Sequence, residues 1–320
     1  MIKVGVVGGA GYTAGELIRI LINHPKAEIT FVQSTSQAGL PISDIHTDLV
    51  GESDLVFDSE FDYSVDVMFL CMGHGRSRSF VEGLPASYKG KIIDLSHDYR
   101  LKNTADSFVY GLPELNRDTI AQAQKIANPG CFATAIQLAL LPLADHKQLS
   151  EVHIHAITGS TGAGQACSST THFSWRNNNA SVYKAFQHQH LSEIGESMLQ
   201  LQSDFSDAIN FVPMRGNYPR GILASVYLES SMSESEAKAL FEAYYAQHPF
   251  VFVVNKNPDV KQVVNTNKAL VFVKKYDTKI HIVSVIDNLL KGASGQAVQN
   301  MNLLFGLDEA EGLHLKPVAF

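Results

Sequence analysis

Residues 2–15 read IKVGVVGGAGYTAG, in which a continuous apolar run leads into a glycine-rich turn and then a helical pattern. An apolar strand of this kind suits a parallel sheet that is buried on both faces. The Gly9-x-Gly11-x-x-Ala14 spacing lets a backbone approach a pyrophosphate, which the following helix N-terminus holds. The stretch predicts a Rossmann-type doubly wound α/β domain that binds a dinucleotide through Gly8, Gly9, Ala10, Gly11, Tyr12, Thr13 and Ala14.

The end of the second predicted strand indicates which dinucleotide is used. That strand covers residues 28–33, and residues 34–37 read STSQ. Chains that bind NAD commonly place an Asp or Glu here to hold the ribose 2′-hydroxyl, and none is present. The small hydroxyl groups of Ser34 and Ser36 leave room for a 2′-phosphate and can hydrogen-bond it. NADP is therefore predicted rather than NAD.

Two further glycine-containing loops are candidates for the ligand crevice. Loops at the carboxyl ends of strands line the crevice of doubly wound sheets, and residues 72–75 form such a loop. Residues 160–165 (STGAGQ) predict a flexible loop whose N–H groups line a phosphate or oxyanion site; an ordinary loop is the alternative. The cofactor-contacting residues expected from these loops are Gly73, His74, Ser160, Gly162 and Ala163.

Cys131 is the candidate nucleophile. It follows Pro129 and Gly130, and the apolar run from Phe132 to Leu141 predicts a helix that stops at Pro142. At a helix N-terminus the exposed N–H groups and the helix dipole favour a thiolate, which is the form that attacks an acyl carbon. The alternative is a buried cysteine that acts only as a small hydrophobic residue.

His188 and His190 are the candidate acid–base residues. They lie one residue apart within residues 183–194, and the sequence offers no third ligand with spacing that fits a metal. A proton donor and base beside Cys131 is the preferred interpretation, with His190 favoured over His188. Two solvated surface histidines are the alternative. Glu193 is expected to orient a histidine, and no metal site is predicted.

Composition limits the classes of function. The chain has 320 residues, a formal net charge of −7 and no basic block, which argues against a nucleic-acid partner. The first strand begins at the N-terminus, which predicts no signal peptide, and no apolar run is long enough for a membrane span. Three widely spaced cysteines suit neither a disulfide framework nor a zinc site, so a reducing cytoplasm is expected.

The hydrophobic pattern changes at about Glu151. Residues 152–157, 221–228, 269–273 and 279–286 predict strands, and residues 233–247 predict a helix with Ser233 as its N-cap. We therefore expect an NADP-binding domain over residues 1–130 and an α+β catalytic and dimerisation domain with a largely antiparallel sheet over residues 131–290.

Several ordered segments resemble the N-acetyl-γ-glutamyl-phosphate reductases, the NADPH-dependent enzymes of arginine biosynthesis. The resemblance covers nearly the whole chain and is carried by residues 8–15, 94–101, 110–115, 126–142 and 287–297. It implies a semialdehyde dehydrogenase-like fold in which residues 291–320 pack back onto the first domain. It also implies a small-molecule acyl-phosphate substrate, release of inorganic phosphate, and a homotetramer or dimer that binds neither nucleic acid nor membrane.

The same resemblance implies a chemical mechanism. Cys131 attacks the acyl phosphate, phosphate leaves and a thioester remains, NADPH reduces the thioester, and His190 assists release of the semialdehyde. The resemblance adds Asn288 and Lys291 to the residues expected to contact the cofactor. The residues expected to contact the substrate are Arg100, Glu114, Glu193 and Arg215.

Two departures from the family pattern leave alternatives open. Gln165 stands where the family loop usually ends in a basic residue. Arg215 falls in a segment where the family commonly has Pro-His-Leu, which suggests recognition of a carboxylate and an N-succinyl substrate instead of an N-acetyl one. A surface arginine in a variable loop is the competing interpretation. Aspartate-semialdehyde dehydrogenase chemistry and a non-catalytic NADP-binding sensor are the remaining alternatives.

Overall fold

The computed structural model describes residues 1–73 and 75–318. The helices are α1 Tyr12–Leu21, α2 Ser77–Glu82, α3 Pro113–Gln122, α4 Cys131–Asp145, α5 Phe173–Arg176, α6 His190–Leu201, α7 Glu234–Tyr245 and α8 Ser294–Leu304. The strands are β1 Ile2–Val7, β2 Ala27–Gln33, β3 Phe57–Asp58, β4 Val67–Leu70, β5 Lys91–Asp94, β6 Val109–Tyr110, β7 Lys125–Ala127, β8 Val152–Thr158, β9 Ser181–Val182, β10 Ile209–Arg215, β11 Ile222–Glu229, β12 Val251–Val254, β13 Ala269–Tyr276 and β14 Lys279–Ile286. None of the helices within these described ranges is long and apolar enough to cross a membrane.

The chain divides into two compact units. The first consists of Met1–Pro129 with Ala293–His314, and the second of Gly130–Gly292 with a short segment that begins at Leu315. The chain therefore leaves the first unit just before Cys131 and returns to it just after Gly292.

A parallel sheet forms the centre of the first unit. Its strand order is β3-β2-β1-β4-β5-β7-β6, and its strand pairs run parallel. Strand β1 lies between β2 and β4, and Val4, Val6 and Val7 are fully buried. This confirms the Rossmann-type α/β prediction, because an all-apolar strand is stable only where both faces of the sheet are covered.

Helix α8 completes the first unit. It packs against α1 and α3. Ser294 Oγ donates to the Thr13 carbonyl at 2.7 Å, and Asn300 Nδ2 donates to the Gly111 carbonyl at 2.8 Å. The end of the chain thus holds backbone at the nucleotide-turn helix and at the loop that precedes α3.

The second unit contains a mixed sheet with the order β12-β13-β14-β11-β8-β10-β9. Pairs β12–β13 and β8–β10 are parallel and the other pairs are antiparallel, in line with the predicted largely antiparallel sheet. Helix α4 packs on β11 and β14 and against α6. Thirteen of its residues, from Phe132 to Ala144, are buried, so this helix is the core of the unit.

Helix α4 does not stop at Pro142, and that prediction is wrong. The helix continues to Asp145. A proline inside a helix leaves the carbonyl four residues earlier without its N–H partner. Here Leu138 is that residue, and the Tyr245 hydroxyl donates to its carbonyl oxygen at 2.6 Å. A side chain from α7 therefore supplies the hydrogen bond that Pro142 cannot.

Candidate active site

The nucleotide turn joins β1 to α1. The N–H groups of Gly8 and Gly9 both donate to the Gln33 carbonyl, at 3.1 and 2.8 Å, which fixes the turn against the end of β2. A Cβ on Gly9 would lie 2.3 Å from Val32 Cγ1, so only glycine fits there. A Cβ on Gly11 would meet no heavy atom of the described residues within 4 Å. The turn is thus tightly packed at Gly9, on the side of β2, and open at Gly11, at the start of α1.

The N-terminus of α1 fits a dinucleotide pyrophosphate. Gly11 is the N-cap, and within the described part of the chain no side chain caps the helix and no acidic residue lies in its first turn. The first N–H groups of a helix lack intrahelical partners, and their partial positive charge attracts phosphate. Ala14 is buried, whereas the Tyr12 side chain is 40% exposed. The predicted contacts Ala10 and Thr13 lie in the same turn and first helical turn.

The remaining predicted cofactor residues of the first unit lie in loops that follow strands. Ser34 is buried immediately after β2, and Ser36 is exposed two residues on. Gly73 is exposed after β4. His74 lies outside the described residues.

Cys131 is the first residue of α4, with Gly130 as the N-cap. The side chain of Cys131 is partly exposed. A Cβ on Gly130 would lie 2.3 Å from His190 Nε2, and a Cβ on Gly292 would lie 2.8 Å from Cys131 Cβ. Two glycines therefore let an imidazole and a backbone segment approach the start of the cysteine helix.

Glu193 connects the two helices that meet at this point. It lies in the first turn of α6, is buried, and accepts the Gly130 N–H through Oε2 at 3.0 Å. Its Oε1 lies 3.9 Å from His190 Nε2. One carboxylate thus contacts both the N-cap of the cysteine helix and the adjacent imidazole.

His188 and His190 differ in what surrounds them. Burial lowers the pKa of His188 to about 4, so its ring is neutral near neutral pH. Its Nδ1 accepts the His190 backbone N–H at 3.2 Å, and its ring packs edge-to-face on Phe132 at 5.5 Å. The neutral His188 ring serves as a hydrogen-bond acceptor at the start of α6, while the His190 ring lies at the turn that carries the thiol.

Arg215 is the last residue of β10, with its guanidinium carbon 4.6 Å from the centre of the Tyr183 ring. Arg215 is half-buried and ends a strand, so it does not lie in a loop as the competing interpretation had it. Burial raises the pKa of Tyr183 to about 12, so its hydroxyl is neutral. Tyr183 in turn packs on His188 at 5.8 Å.

Residues 160–165 were expected to offer free N–H groups, and the structure differs. Residues Ser160–Ala163 form a turn of 3-10 helix. The N–H groups of Ser160 and Thr161 donate to the Tyr218 and Pro219 carbonyls, and that of Gly162 to the Gly159 carbonyl. The backbone satisfies itself here because the preceding strand β8 ends beside the loop of residues 216–221.

The C-terminal signature of the second unit braces this turn. Asn288 Nδ2 donates to Thr161 Oγ1 at 3.0 Å, and its Oδ1 accepts the Gly221 N–H at 2.8 Å. Lys291 is fully buried one residue before Gly292. Ala163 is half-buried and Gly162 exposed on the same turn.

Arg100 and Glu114, predicted to contact substrate, lie in the first unit. Arg100 is buried, and its Nε and Nη2 donate to the Asn128 and Leu95 carbonyls at 2.9 and 3.0 Å. Glu114 is buried in the first turn of α3. At least two nitrogens of Arg100 thus hold backbone, including the segment that leads to Cys131.

Sequence reasoning singled out neither Tyr183, Arg176 nor Gly292. Tyr183 lies within the histidine segment, and an aromatic residue seven positions before His190 was available as a signal. Gly292 lies within a quoted family block. Arg176 is buried at the end of α5, a helix of four residues that is too short to show a periodic pattern of buried residues.

Comparison with known proteins assigns the class. Residues 3–123 match the family model described as the NAD binding domain of semialdehyde dehydrogenase, and residues 131–288 match the semialdehyde dehydrogenase dimerisation domain. The fold agrees with aspartate semialdehyde dehydrogenase II from Vibrio cholerae in complex with ASA, at a TM-score of 0.76, 18% identity, and 96% and 98% coverage of the two chains. The enzyme from Candida albicans with NADP has a TM-score of 0.69 at 14% identity, with 95% and 98% coverage. The fold and the two domain matches are those of a semialdehyde dehydrogenase.

Sequence relatives identify the family more narrowly. The chain is 59% identical to the N-acetyl-gamma-glutamyl-phosphate reductase of Parabacteroides distasonis and 56% identical to that of Bacteroides fragilis, with complete coverage of each chain. The chain belongs to the N-acetyl-gamma-glutamyl-phosphate reductase family.

Proposed function

We propose that this protein reduces an N-acyl-γ-glutamyl phosphate to the N-acyl-glutamate 5-semialdehyde and inorganic phosphate, with NADPH as reductant, in arginine biosynthesis. The observation that carries the proposal is the start of α4, where Cys131 follows a glycine that the His190 ring packs against. The names of the relatives and the NAD binding domain match support the substrate and the cofactor.

The first half of the reaction takes place at Cys131. The N-terminus of α4 favours the thiolate, which attacks the acyl carbon of the substrate. N–H groups of the first turn of α4 are free of intrahelical partners and stabilise the oxyanion. The carbon–oxygen bond to phosphate then breaks, and a thioester with Cys131 remains.

The second half is reduction and release. When bound, NADPH supplies a hydride to the thioester carbon. The resulting thiohemiacetal on Cys131 re-forms its carbonyl as the carbon–sulfur bond breaks, and His190 gives a proton to the departing sulfur. Glu193 keeps His190 and the Gly130 N–H in register, so it acts as a positioning residue. His188 remains neutral and holds the start of α6.

Each unit is assigned one task. Residues 1–130 with residues 291–320 bind NADP(H) through the β1–α1 turn, and residues 131–290 carry out the acyl chemistry. The chain acts on small molecules and forms a homodimer or homotetramer through the second unit, which matches a dimerisation domain. A second copy would cover the sheet face on which Ser225 and Tyr227 lie half-buried, alternating with buried residues along β11. The three free cysteines suit the cytoplasm.

The test is the reverse reaction, in which reduction of NADP⁺ is followed by the absorbance of NADPH at a wavelength of about 340 nm. N-acetyl-glutamate semialdehyde, phosphate and NADP⁺ are supplied, with aspartate semialdehyde in a parallel assay. Turnover of the acylated glutamate semialdehyde is expected. Turnover of aspartate semialdehyde alone would assign the protein to that reaction, and NADPH binding without turnover of any semialdehyde would leave a sensor.

A further inference from the structure

His46 contacts the nucleotide turn from a segment that none of the proposed chemistry uses. It is 7% exposed and lies between two turns of 3-10 helix, Ile42–Asp44 and Thr47–Leu49. Its Nε2 lies 2.7 Å from the Gly9 carbonyl oxygen. Because a carbonyl oxygen only accepts hydrogen bonds, Nε2 carries the proton and donates it. A buried imidazole thus binds the backbone of the turn that joins β1 to α1.

This hydrogen bond fixes the direction of a neighbouring N–H group. The Gly9 carbonyl and the Ala10 N–H belong to one planar trans peptide, so they point in opposite directions. While His46 holds the carbonyl, the Ala10 N–H points away from the imidazole. Gly9 has no Cβ to restrict its ψ angle, so this peptide needs an outside contact to keep its orientation. Rotation of the peptide would instead present a hydrogen-bond acceptor where the donor now points.

The segment that carries His46 is itself anchored. The His46 N–H donates to the Ile42 carbonyl at 2.8 Å, and the Leu49 N–H donates to the His46 carbonyl at 2.9 Å. The Ile42 and Leu49 side chains are buried. The imidazole packs on Phe57, with 6.2 Å between the ring centres. The backbone of His46 is therefore fixed by contacts other than the one with the nucleotide turn.

Helix α1 leaves space for the imidazole at Gly15. A Cβ on Gly15 would lie 2.6 Å from His46 Nδ1 and 2.8 Å from its Cε1. Gly15 is buried in the first half of α1, and glycine inside a helix lowers helix stability relative to alanine. The close approach of the imidazole accounts for glycine at this position.

We propose that His46 is a positioning residue for the cofactor. Its Nε2–H holds the Gly9 carbonyl on the side of the imidazole, so that the Ala10 N–H and the first N–H groups of α1 stay directed at the pyrophosphate. Donors that are oriented before the ligand arrives bind it more tightly, because binding does not have to order them. His46 acts through the backbone and touches neither the substrate nor the reacting atoms. This role rests on the proposed function, because it concerns the NADP(H) site of that reductase.

The experiment compares His46→Leu with His46→Gln by fluorescence titration of NADPH. Leucine fills most of the space but removes the donor, so we expect the Kd for NADPH to rise about tenfold, as for one lost hydrogen bond. Glutamine carries an amide N–H at about the distance where the imidazole carries Nε2–H, so its Kd should stay within about threefold of wild type. In the NADP⁺-dependent assay of His46→Leu, KM for NADP⁺ should rise in parallel, while kcat at saturating NADP⁺ should change by less than about twofold.

A double-mutant cycle tests the fit between the imidazole and α1. Gly15→Ala must displace the ring, so it should raise the Kd for NADPH by as much as His46→Leu does. In a His46→Ala background the space is free, and Gly15→Ala should have no further effect. Additive effects of the two substitutions on the Kd would show that Gly15 affects the cofactor by another route, and would contradict the proposed role of His46.

His24→Leu is the matched control. His24 is another buried histidine of the first unit, with Nε2 3.1 Å from Asn302 Oδ1, and it lies just beyond the far end of α1. Its replacement should lower the thermal midpoint without changing the Kd for NADPH. Circular dichroism establishes that each variant is folded, and Gly15→Ala serves if His46→Leu is not.

The outcomes are distinct. An unchanged Kd in folded His46→Leu overturns the role of His46, as does an equal increase in His46→Leu and His46→Gln, which would make the shape of the ring the cause. Failure of the wild type to bind NADPH overturns it as well. The expected pattern of Kd values without turnover of any semialdehyde would instead contradict the proposed reductase function and leave the role of His46 standing.

Discussion

Two strands of the parallel sheet, β1 and β7, each lead through a glycine turn into a helix whose N-cap glycine offers no capping side chain, yet the two turns are finished differently. At the β1–α1 turn the space above Gly11 is open among the described residues. At the β7–α4 turn the equivalent space above Gly130 is filled by the His190 ring, and Glu193 accepts the Gly130 N–H. Glycine admits a ligand from outside in the first case and a side chain of the same chain in the second.

The difference indicates two uses of one element of backbone structure. An open helix N-terminus binds an anion that comes and goes, because its N–H groups remain free for phosphate oxygens. A helix N-terminus enclosed by an imidazole and a carboxylate holds a reactive side chain in one geometry, which is what covalent catalysis requires. The following variants test this distinction.

Cys131→Ser should have the largest effect. The hydroxyl is a far weaker nucleophile than the thiolate, so turnover should fall by about three orders of magnitude or more, as for other lost nucleophiles. The affinity for NADPH, measured by fluorescence titration, should be unchanged because the open turn lies in the other unit. Retention of more than about a tenth of the wild-type rate would contradict covalent catalysis.

Gly130→Ala tests the enclosed turn directly. The new Cβ would lie 2.3 Å from His190 Nε2, so the imidazole must move. We expect kcat to fall by about 100-fold, since displacement of a catalytic group by about 1 Å is typically this costly. Gly195→Ala is the matched control: it lies in α6, its Cβ would meet nothing within 4 Å of the described residues, and activity should be retained. Equal activity of the two variants would show that His190 need not occupy this place.

The enclosed turn should also make stability depend on pH. Burial lowers the pKa of His188 from 6.5 to about 4, so between these values the unfolded chain binds the proton more strongly than the folded one. Stability is therefore complete above about pH 6.5 and lost as the pH falls toward about 4, by at most about 3 kcal/mol. Urea unfolding of wild type and His188→Asn over this range should show a weaker pH dependence in the variant. His155→Asn, at an exposed position, should leave it unchanged.

Gly11→Ala tests the open turn and should have the smallest effect. Its φ of −85° and ψ of 167° suit alanine, so unfolding free energy should change by only a few tenths of a kcal/mol. A methyl group in the path of the pyrophosphate should raise the Kd for NADPH about tenfold. Gly9→Ala should behave in the opposite way, with a clear loss of stability, because its Cβ would lie 2.3 Å from Val32 Cγ1. An unchanged Kd for Gly11→Ala would indicate that the dinucleotide binds elsewhere.

Local patterns were sufficient for much of the fold. The apolar run before Gly8 indicated the parallel sheet, and Ser233 caps α7 with Glu236 in a capping box. Both features depend on residues that are neighbours in sequence. The length of α4 was mispredicted because the hydroxyl that replaces the missing hydrogen bond of Pro142 belongs to Tyr245, more than a hundred residues later.

The candidate site shows the same limit. Pro129 and Gly130 place Cys131 at a helix start through local chain geometry alone. The lowered pKa of His188 depends on burial, and the contact of Arg215 with Tyr183 joins the end of β10 to the residue that follows β9. Sequence spacing offered no means of seeing either. It also suggested exposable N–H groups in residues 160–165, and those of Ser160 and Thr161 instead donate to carbonyls in the loop at residues 216–221.

The placement of α8 has a consequence for biosynthesis. The first unit needs Ala293–His314, which the ribosome makes only after the whole of Gly130–Gly292. Ser294 and Asn300 donate to the carbonyls of Thr13 and Gly111. These two hydrogen bonds cannot form until the ribosome has made α8, late in translation. Almost all of the second unit is one continuous segment, Gly130–Gly292. Nearly all of its internal contacts can therefore form as soon as that segment has left the ribosome. The catalytic unit is therefore the one that can mature first on the ribosome, and the nucleotide-binding unit closes last.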